Sequence, residues 1–310
     1  MSKKLTILCM TLMLLTACIL SACAKSPINE TVPDDGQNGN IAAPTEDDPG
    51  NAGNEPDDGA MNPDDATEPE DEREADDAGA MEDENGEPVQ AEPLYYMNGI
   101  YDIKPIGEGT NERVVLLTFD DGPKNLELVS GLLDTLEKHN AKAIFFVNGY
   151  RVKANPDLLK MIYEKGHSIG NHSYDHINLR QESEEKIRQQ VDAVQEIVEQ
   201  TIGIRPKFFR PPNGASNDFL RNYVKEQGML FMTWSNGSLD WDSKNQTPEA
   251  VIRNVLDQLR PGSNILMHEL PWTVEALDEL LTRLEEEGYS FVDPHTIRID
   301  PPETNDNTAS

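Results

Sequence analysis

Two adjacent carboxylates, Asp120 and Asp121, stand in the segment Thr118-Phe119-Asp120-Asp121-Gly122-Pro123, directly after the apolar run Val114–Thr118. Side-by-side acids at a strand end are unfavourable unless a cation or hydrogen bonds hold them. Neighbouring residues on a strand point in different directions, so one acid can bind a metal while the other faces a bound water. Taken alone, the segment also reads as an Asx turn, because Asp-Gly-Pro is turn chemistry. A second segment, His172-Ser173-Tyr174-Asp175-His176, places two imidazoles at i, i+4, which share a face if the segment is helical. Two imidazoles and a carboxylate make a three-ligand site with an open position. A pair of solvent histidines in a loop fits the same letters.

Three further segments could work with these. In Phe209-Arg210-Pro211-Pro212-Asn213-Gly214, two prolines stiffen the backbone after an arginine and would hold its guanidinium against a carboxylate. Ser238-Leu239-Asp240-Trp241 sets a carboxylate beside a large ring. Ile265-Leu266-Met267-His268-Glu269 ends an apolar strand on a histidine, the position of an acid–base group. Each has an ordinary alternative: an arginine on a rigid surface turn, a core tryptophan near a surface acid, a satisfied core-edge histidine.

These segments must be positioned by the elements between them. Val114–Thr118, Ala143–Val147, His167–Gly170, Lys207–Arg210, Leu230–Trp234, Ile265–Met267 and Ser290–Val292 read as strands. Leu126–His139, Pro156–Lys165 with Asn155 as its cap, Ser183–Ile202, Pro248–Leu259 and Val274–Glu287 read as helices. This alternation predicts an α/β fold with a parallel sheet wrapped by helices, a closed or incomplete barrel. In such barrels chemistry collects at the C-terminal ends of the strands, where four of the five segments lie.

The net charge of -31 is unevenly spread. Residues 24–93 hold 23 acidic and 2 basic side chains, and residues 94–310 hold 34 and 22. That balance excludes nucleic acid as a partner, since phosphate binding needs a basic footprint. Lys3 and Lys4 precede an apolar run, Leu5–Leu20, of signal-peptide length, which ends in Leu20-Ser21-Ala22-Cys23. This end resembles the lipobox of bacterial lipoproteins, in which the cysteine carries the lipid. The expected organisation is a lipoprotein signal peptide over 1–22, an acidic disordered tether over 23–93, a globular domain over 94–295 and a polar tail over 296–310. The expected location is the outer face of the cell membrane, anchored at Cys23. Beyond Cys23 there is no cysteine, so any metal site must be built from His, Asp and Glu.

The order and spacing of all five segments closely resemble the polysaccharide deacetylases with the NodB-homology domain, carbohydrate esterase family 4. The resemblance runs from about Val114 to about Asp293. It implies the distorted or incomplete (β/α) barrel of the NodB-homology type and the hydrolysis of N-acetyl groups on an extracellular polysaccharide, most simply peptidoglycan. It implies a divalent metal, zinc, on Asp121, His172 and His176. It implies Asp120 as base, Arg210 as its orienter, His268 as general acid and Asp240 as the partner of His268. Asn213, through its backbone N–H, and Trp241 and Leu266 match positions lining the substrate pocket. The sequence departs from the family pattern at Asn213, where an aromatic is common, and at Gly237, where an aspartate is common. Acetylxylan or chitin deacetylation on the same site is the alternative, and a non-catalytic glycan-binding lipoprotein is the alternative of another class. Tyr150, Tyr174, Trp234 and Trp272 are candidates for the wall of a polymer groove.

Overall fold

The structure is a computed structural model that describes residues 92–299. The expected signal peptide, Cys23 and all but the last two residues of the expected tether lie outside the described residues. No helix among the described residues is long and apolar enough to cross a membrane.

The described chain opens with an antiparallel hairpin, β1 (Tyr95–Met97) and β2 (Ile103–Pro105). Strands of three residues carry too little alternation to be read from sequence. The hairpin is held by fully buried Ile103 and by buried Asp102, which pairs with Arg260 at 2.9 Å. The chain also packs beyond 295, the expected end of the domain. Ile297 is buried, Leu94 N–H donates to the Thr296 carbonyl, and Arg298 N–H donates to that of Tyr95. A lone isoleucine in a polar stretch gave no periodic signal of this.

The remaining elements alternate: β3 (Val114–Gly122), α1 (Leu126–Lys138), β4 (Ala143–Val147), α2 (Gly149–Ala154), α3 (Pro156–Glu164), β5 (Ser168–Asn171), α4 (Glu184–Ile202), β6 (Phe208–Phe209), α5 (Asp218–Glu226), β7 (Leu230–Phe231), β8 (Asn236–Gly237), α6 (Pro248–Asp257), β9 (Ser263–His268), α7 (Pro271–Glu286) and β10 (Ser290–Phe291). The sheet order is β7-β6-β5-β4-β3-β9-β8, with β10 beside the start of β3, and every pairing in it is parallel. The outermost strands β7 and β8 do not pair with each other, so the barrel is incomplete.

Strands buried on both faces read as continuous apolar runs, which is why β3 and β4 are legible. Along β3, Val115, Leu117 and Phe119 pack outward with the helices, beside Phe145, Leu132 and Leu280. Val114 and Leu116 face the barrel interior with Ile144, Phe146, Phe208 and Met232. Helix starts are capped by Asn125, Ser183, Asn217 and Thr247, each accepting an N–H of the first turn. Asn155 makes no such cap bond at α3. Its Nδ2 instead donates to the carbonyls of Pro123 and Lys124.

Candidate active site

The period of two along the strands sorts the polar residues. Thr118 and Asp120 continue the interior face set by Val114 and Leu116. On β9, Ile265 and Met267 belong to the helix-facing core, so Asn264, Leu266 and His268 face inward. Strict alternation would send Asp121 outward with Phe119. It does not go there, because the ladder with β4 jumps from Asp120↔Phe146 to Gly122↔Val147, a bulge with Asp121 as the extra residue at φ 66°. Both carboxylates therefore reach one imidazole: Nε2 of His172 lies 3.6 Å from Asp120 and 3.5 Å from Asp121.

The segment after β5 is not the helix that i, i+4 spacing suggests. It is an irregular loop in which Ser173 and His176 both take left-handed φ, 64° and 55°. Asn148 Nδ2 donates to the His172 carbonyl, and Gln190 exchanges hydrogen bonds with Asp175 through the backbone N–H and the side chain. So pinned, the loop brings His176 Nε2 to 3.1 Å from Asp121 Oδ1. One donor atom each from Asp121, His172 and His176 lies within 4.8 Å of the others.

These three residues suit a divalent cation on two local grounds. Asp121 Oδ1 is buried, and its near neighbours are two imidazole nitrogens, His176 Nε2 at 3.1 Å and His172 Nε2 at 3.5 Å. His172 Nδ1 lies 2.7 Å from the Arg210 carbonyl, which places the ring proton there and leaves the Nε2 lone pair free. Burial holds His172 below the ordinary imidazole range against the pull of Asp120 and Asp121, keeping it neutral, the ligating form. Burial pushes Asp121 up, but the hydrogen-bond contact with His176 and the neighbouring imidazoles outweigh it and leave Asp121 well below the usual carboxylate range.

Arg210 is fully buried, with its guanidinium over the Phe146 ring at 4.3 Å. Nη1 donates to Asp120 Oδ1 at 2.7 Å and to Thr118 Oγ1 at 2.8 Å. Nη2 donates to the Thr233 carbonyl and Asn264 Oδ1, and Nε to Thr233 again. All five donors are used, so the fork has one orientation. Asp240 is equally enclosed. Its Oδ1 lies 2.7 Å from His268 Nδ1, and its Oδ2 accepts the His268 backbone N–H and the Thr273 hydroxyl, each at 2.7 Å. Burial lowers His268, but the Asp240 contact and the charges of Asp240, Asp120 and Asp121 raise it above the ordinary imidazole value. In the ladder His268 sits opposite Asp120.

Trp241 is 45% exposed, with its ring 5.3 Å from that of His268 and edge-on to Trp234. Leu266 is buried on the interior face. Asn213 takes φ 57° and ψ 17°, and its N–H donates no hydrogen bond among the described residues. Tyr150 is exposed, whereas Tyr174 and Trp272 pack against the core, Trp272 Nε1 donating to the Asp240 carbonyl.

Several supporting residues escape sequence reasoning. Thr118, Asn264 and Thr273 look like ordinary strand and helix residues; only the pairing register shows them on Arg210 and Asp240. Glu269, beside His268, is 1% exposed, accepts Lys124 N–H at 2.7 Å, and is pushed by burial up to about 7.

The acids and imidazoles of this incomplete (β/α) barrel converge at its strand ends, where such folds carry their catalytic groups. A family model described as polysaccharide deacetylase matches residues 107–232. A peptidoglycan-N-acetylglucosamine deacetylase of Bacillus cereus is 38% identical over 187 residues, which are 59% of this chain and 67% of that protein. The peptidoglycan-N-acetylglucosamine deacetylase PgdA of Listeria monocytogenes is 40% identical over 184 residues, but the chain spans only 38% of that relative's length. Among solved structures, a CE4 family pseudoenzyme from Bacillus anthracis matches at a TM-score of 0.56 and 33% identity, over 58% of this chain and 63% of that one. The chain belongs to the polysaccharide deacetylase family and is a deacetylase.

Proposed function

We propose that this enzyme hydrolyses N-acetyl groups of peptidoglycan amino sugars and needs a divalent cation, zinc by its donor set, held by Asp121, His172 and His176. The observation that carries this is the convergence of two carboxylates and two imidazoles at one strand end, opposite a carboxylate-paired third imidazole. The cation would polarise the acetyl carbonyl and acidify water. Asp120, kept in place by Arg210, takes the proton of the attacking water. The free N–H of Asn213 donates to the developing oxyanion. His268 gives its proton to the leaving amine, and Asp240 holds it in the charged form. Trp241 and Leu266 enclose the acetyl methyl group. Peptidoglycan as substrate is supported by the relatives from Bacillus cereus and Listeria monocytogenes.

The same proposal has the chain exported and lipid-anchored at Cys23, with residues 23–93 as a tether long enough to let the domain work away from the membrane. The support is the segment Leu20-Ser21-Ala22-Cys23 and the acidic composition that follows.

Acetate release by the zinc-loaded protein, measured side by side on peptidoglycan, chitooligosaccharides and acetylxylan, tests the function. Amino-sugar analysis of the product separates glucosamine from muramic acid. Release from peptidoglycan is expected. Activity confined to acetylxylan, or none on any of the three, refutes the proposal.

A further inference from the structure

Glu269 is a carboxylate in the wrong place for a merely structural residue. It ends the turn after His268 with 1% exposure, and it forms no ion pair among the described residues. Acids are almost never fully buried without a partner, and burying one is expensive. Of its two oxygens, Oε2 accepts Lys124 N–H at 2.7 Å, while Oε1 has no hydrogen-bond partner. Oε1 occupies the space next to Gly122 that any side chain at 122 would need, since a Cβ there would collide with it. The carboxylate is thus seated in the turn Gly122-Pro123-Lys124, bonded to its far end and filling its inside. Asn155 holds the two carbonyls of the same turn from the other side, at 3.3 Å each.

That turn begins one residue after Asp121, which sits on a bulge at φ 66°. A non-glycine residue in the left-handed region persists only where its surroundings over-determine it. Upstream, Asp121 is held by the β3 ladder. Downstream, Gly122 rejoins the β4 ladder opposite Val147, and its carbonyl accepts the Asn148 N–H at 3.0 Å. On the β9 side, the turn that follows is held by Glu269, which is covalently next to His268. We infer that Glu269 is a positioning residue: its buried carboxylate pins the turn after Asp121 to the end of β9, fixing Asp121 relative to His268. Without the acceptor, the turn loses its tie to the end of β9, and Asp121 is held from the β4 side alone, less firmly against His268.

The inference rests on the proposed roles of Asp121 and His268. Its test compares Glu269→Gln, which keeps a carbonyl acceptor, with Glu269→Met, which keeps length and drops it. Glu269→Met should fold, because it replaces an unpaired buried acid by an apolar side chain; Glu269→Leu serves the same comparison should Met not fold. The expected readout is zinc affinity by chelator competition, about 10-fold weaker or more in the Met variant, the usual effect of losing an outer-shell support. Turnover should fall with KM unchanged and thermal midpoint retained, and Gln should restore both affinity and turnover. A Met variant with wild-type zinc affinity and turnover, or a Gln variant as impaired as Met, overturns the inference. Wild type measured in parallel separates the two claims: failure of wild type to bind zinc or release acetate sinks the underlying roles instead.

Discussion

Replacing Asp240 by asparagine isolates one charge at nearly constant shape. In the wild type, Oδ1 faces His268 Nδ1 at 2.7 Å, while Oδ2 accepts the His268 backbone N–H and the Thr273 hydroxyl. The amide of asparagine has one carbonyl, and two donors already compete for the Oδ2 position. The carbonyl stays there, and the NH2 turns toward Nδ1. Nδ1 must then accept, which forces the neutral ring. Burial is the largest influence on His268 and it lowers the pKa; only the carboxylates raise it. A hydrogen bond to a charged group is worth about 1.5–3 kcal/mol. At about 1.4 kcal/mol per pH unit, its loss lowers the His268 pKa by roughly 1–2 units.

The sign is fixed by which form works. The imidazolium is the acid, it exists below its pKa, and activity fades as pH rises through that value. Asp240→Asn therefore moves the alkaline limb of kcat/KM to lower pH by about 1–2 units. A cation in the site lowers His268 in both proteins, so the difference survives. The assay is acetate release between about pH 5 and 10, with Thr273→Val as a control that removes one donor and no charge; its limb should move by less than about half a unit. An Asp240→Asn profile with reduced height but an unmoved alkaline limb refutes the assignment of His268 as acid or of Asp240 as its charge partner.

Arg210→Met should leave Asp120 buried without its cation, costing about 3–5 kcal/mol in urea unfolding and roughly 10²–10⁴-fold in turnover. His268→Ala should lose turnover by a similar roughly 10²–10⁴-fold factor while retaining bound zinc, whereas Asp121→Ala should lose the zinc itself, both read by elemental analysis. His167, buried with Nδ1 accepting the Ala143 N–H, is depressed to about 4 by burial first and Lys142 second. The unfolded chain binds its proton more readily, so stability is complete above about pH 6.5 and declines as pH falls toward 4, by up to about 3 kcal/mol; His167→Gln should flatten that slope in pH-dependent melts. A chain beginning at residue 92 should melt and turn over like the full chain, while one beginning at 107 should melt lower, having lost Ile103 and the Asp102–Arg260 pair.

What was legible in the sequence is what repeats or terminates a period. The buried runs of β3, β4 and β9 announce themselves by composition, and the reactive groups fall where those runs end. Five helices were readable to within a few residues, and the predicted helix at Ser183–Ile202 begins at Glu184 with Ser183 as its cap; the nine-residue α5, capped by Asn217, and the six-residue α2 were not read. What was hidden depends on register or on single left-handed residues. Nothing in the letters shows that Asp121 lies on a bulge or that the His172–His176 loop is irregular. Strand β8 is Asn-Gly, without β propensity, and was invisible. Helix α7 begins three residues before its expected start, because Pro271 is favourable at the first helical position; that early start places Trp272 and Thr273 on Asp240.

A fold match alone cannot carry the claim of catalysis, since one of the matching structures is described as a pseudoenzyme. Features that stability would not select distinguish a working site. Buried ionic groups are weak contributors to stability, and apolar replacements are often neutral or better; yet this barrel buries Asp120, Arg210, His172, Asp240 and Glu269 together at one end. Backbone strain is distributed the same way. Of the seven non-glycine residues with left-handed φ among the described residues, five belong to the reactive segments: Asp121, Ser173, His176, Asn213 and Leu239. Each such residue is held at a local cost of order 1–3 kcal/mol. Strain and buried charge could have been scattered over the loops of a 208-residue described domain. Their concentration around the point where Asp121, His172 and His176 converge is what an energetic compromise for chemistry looks like.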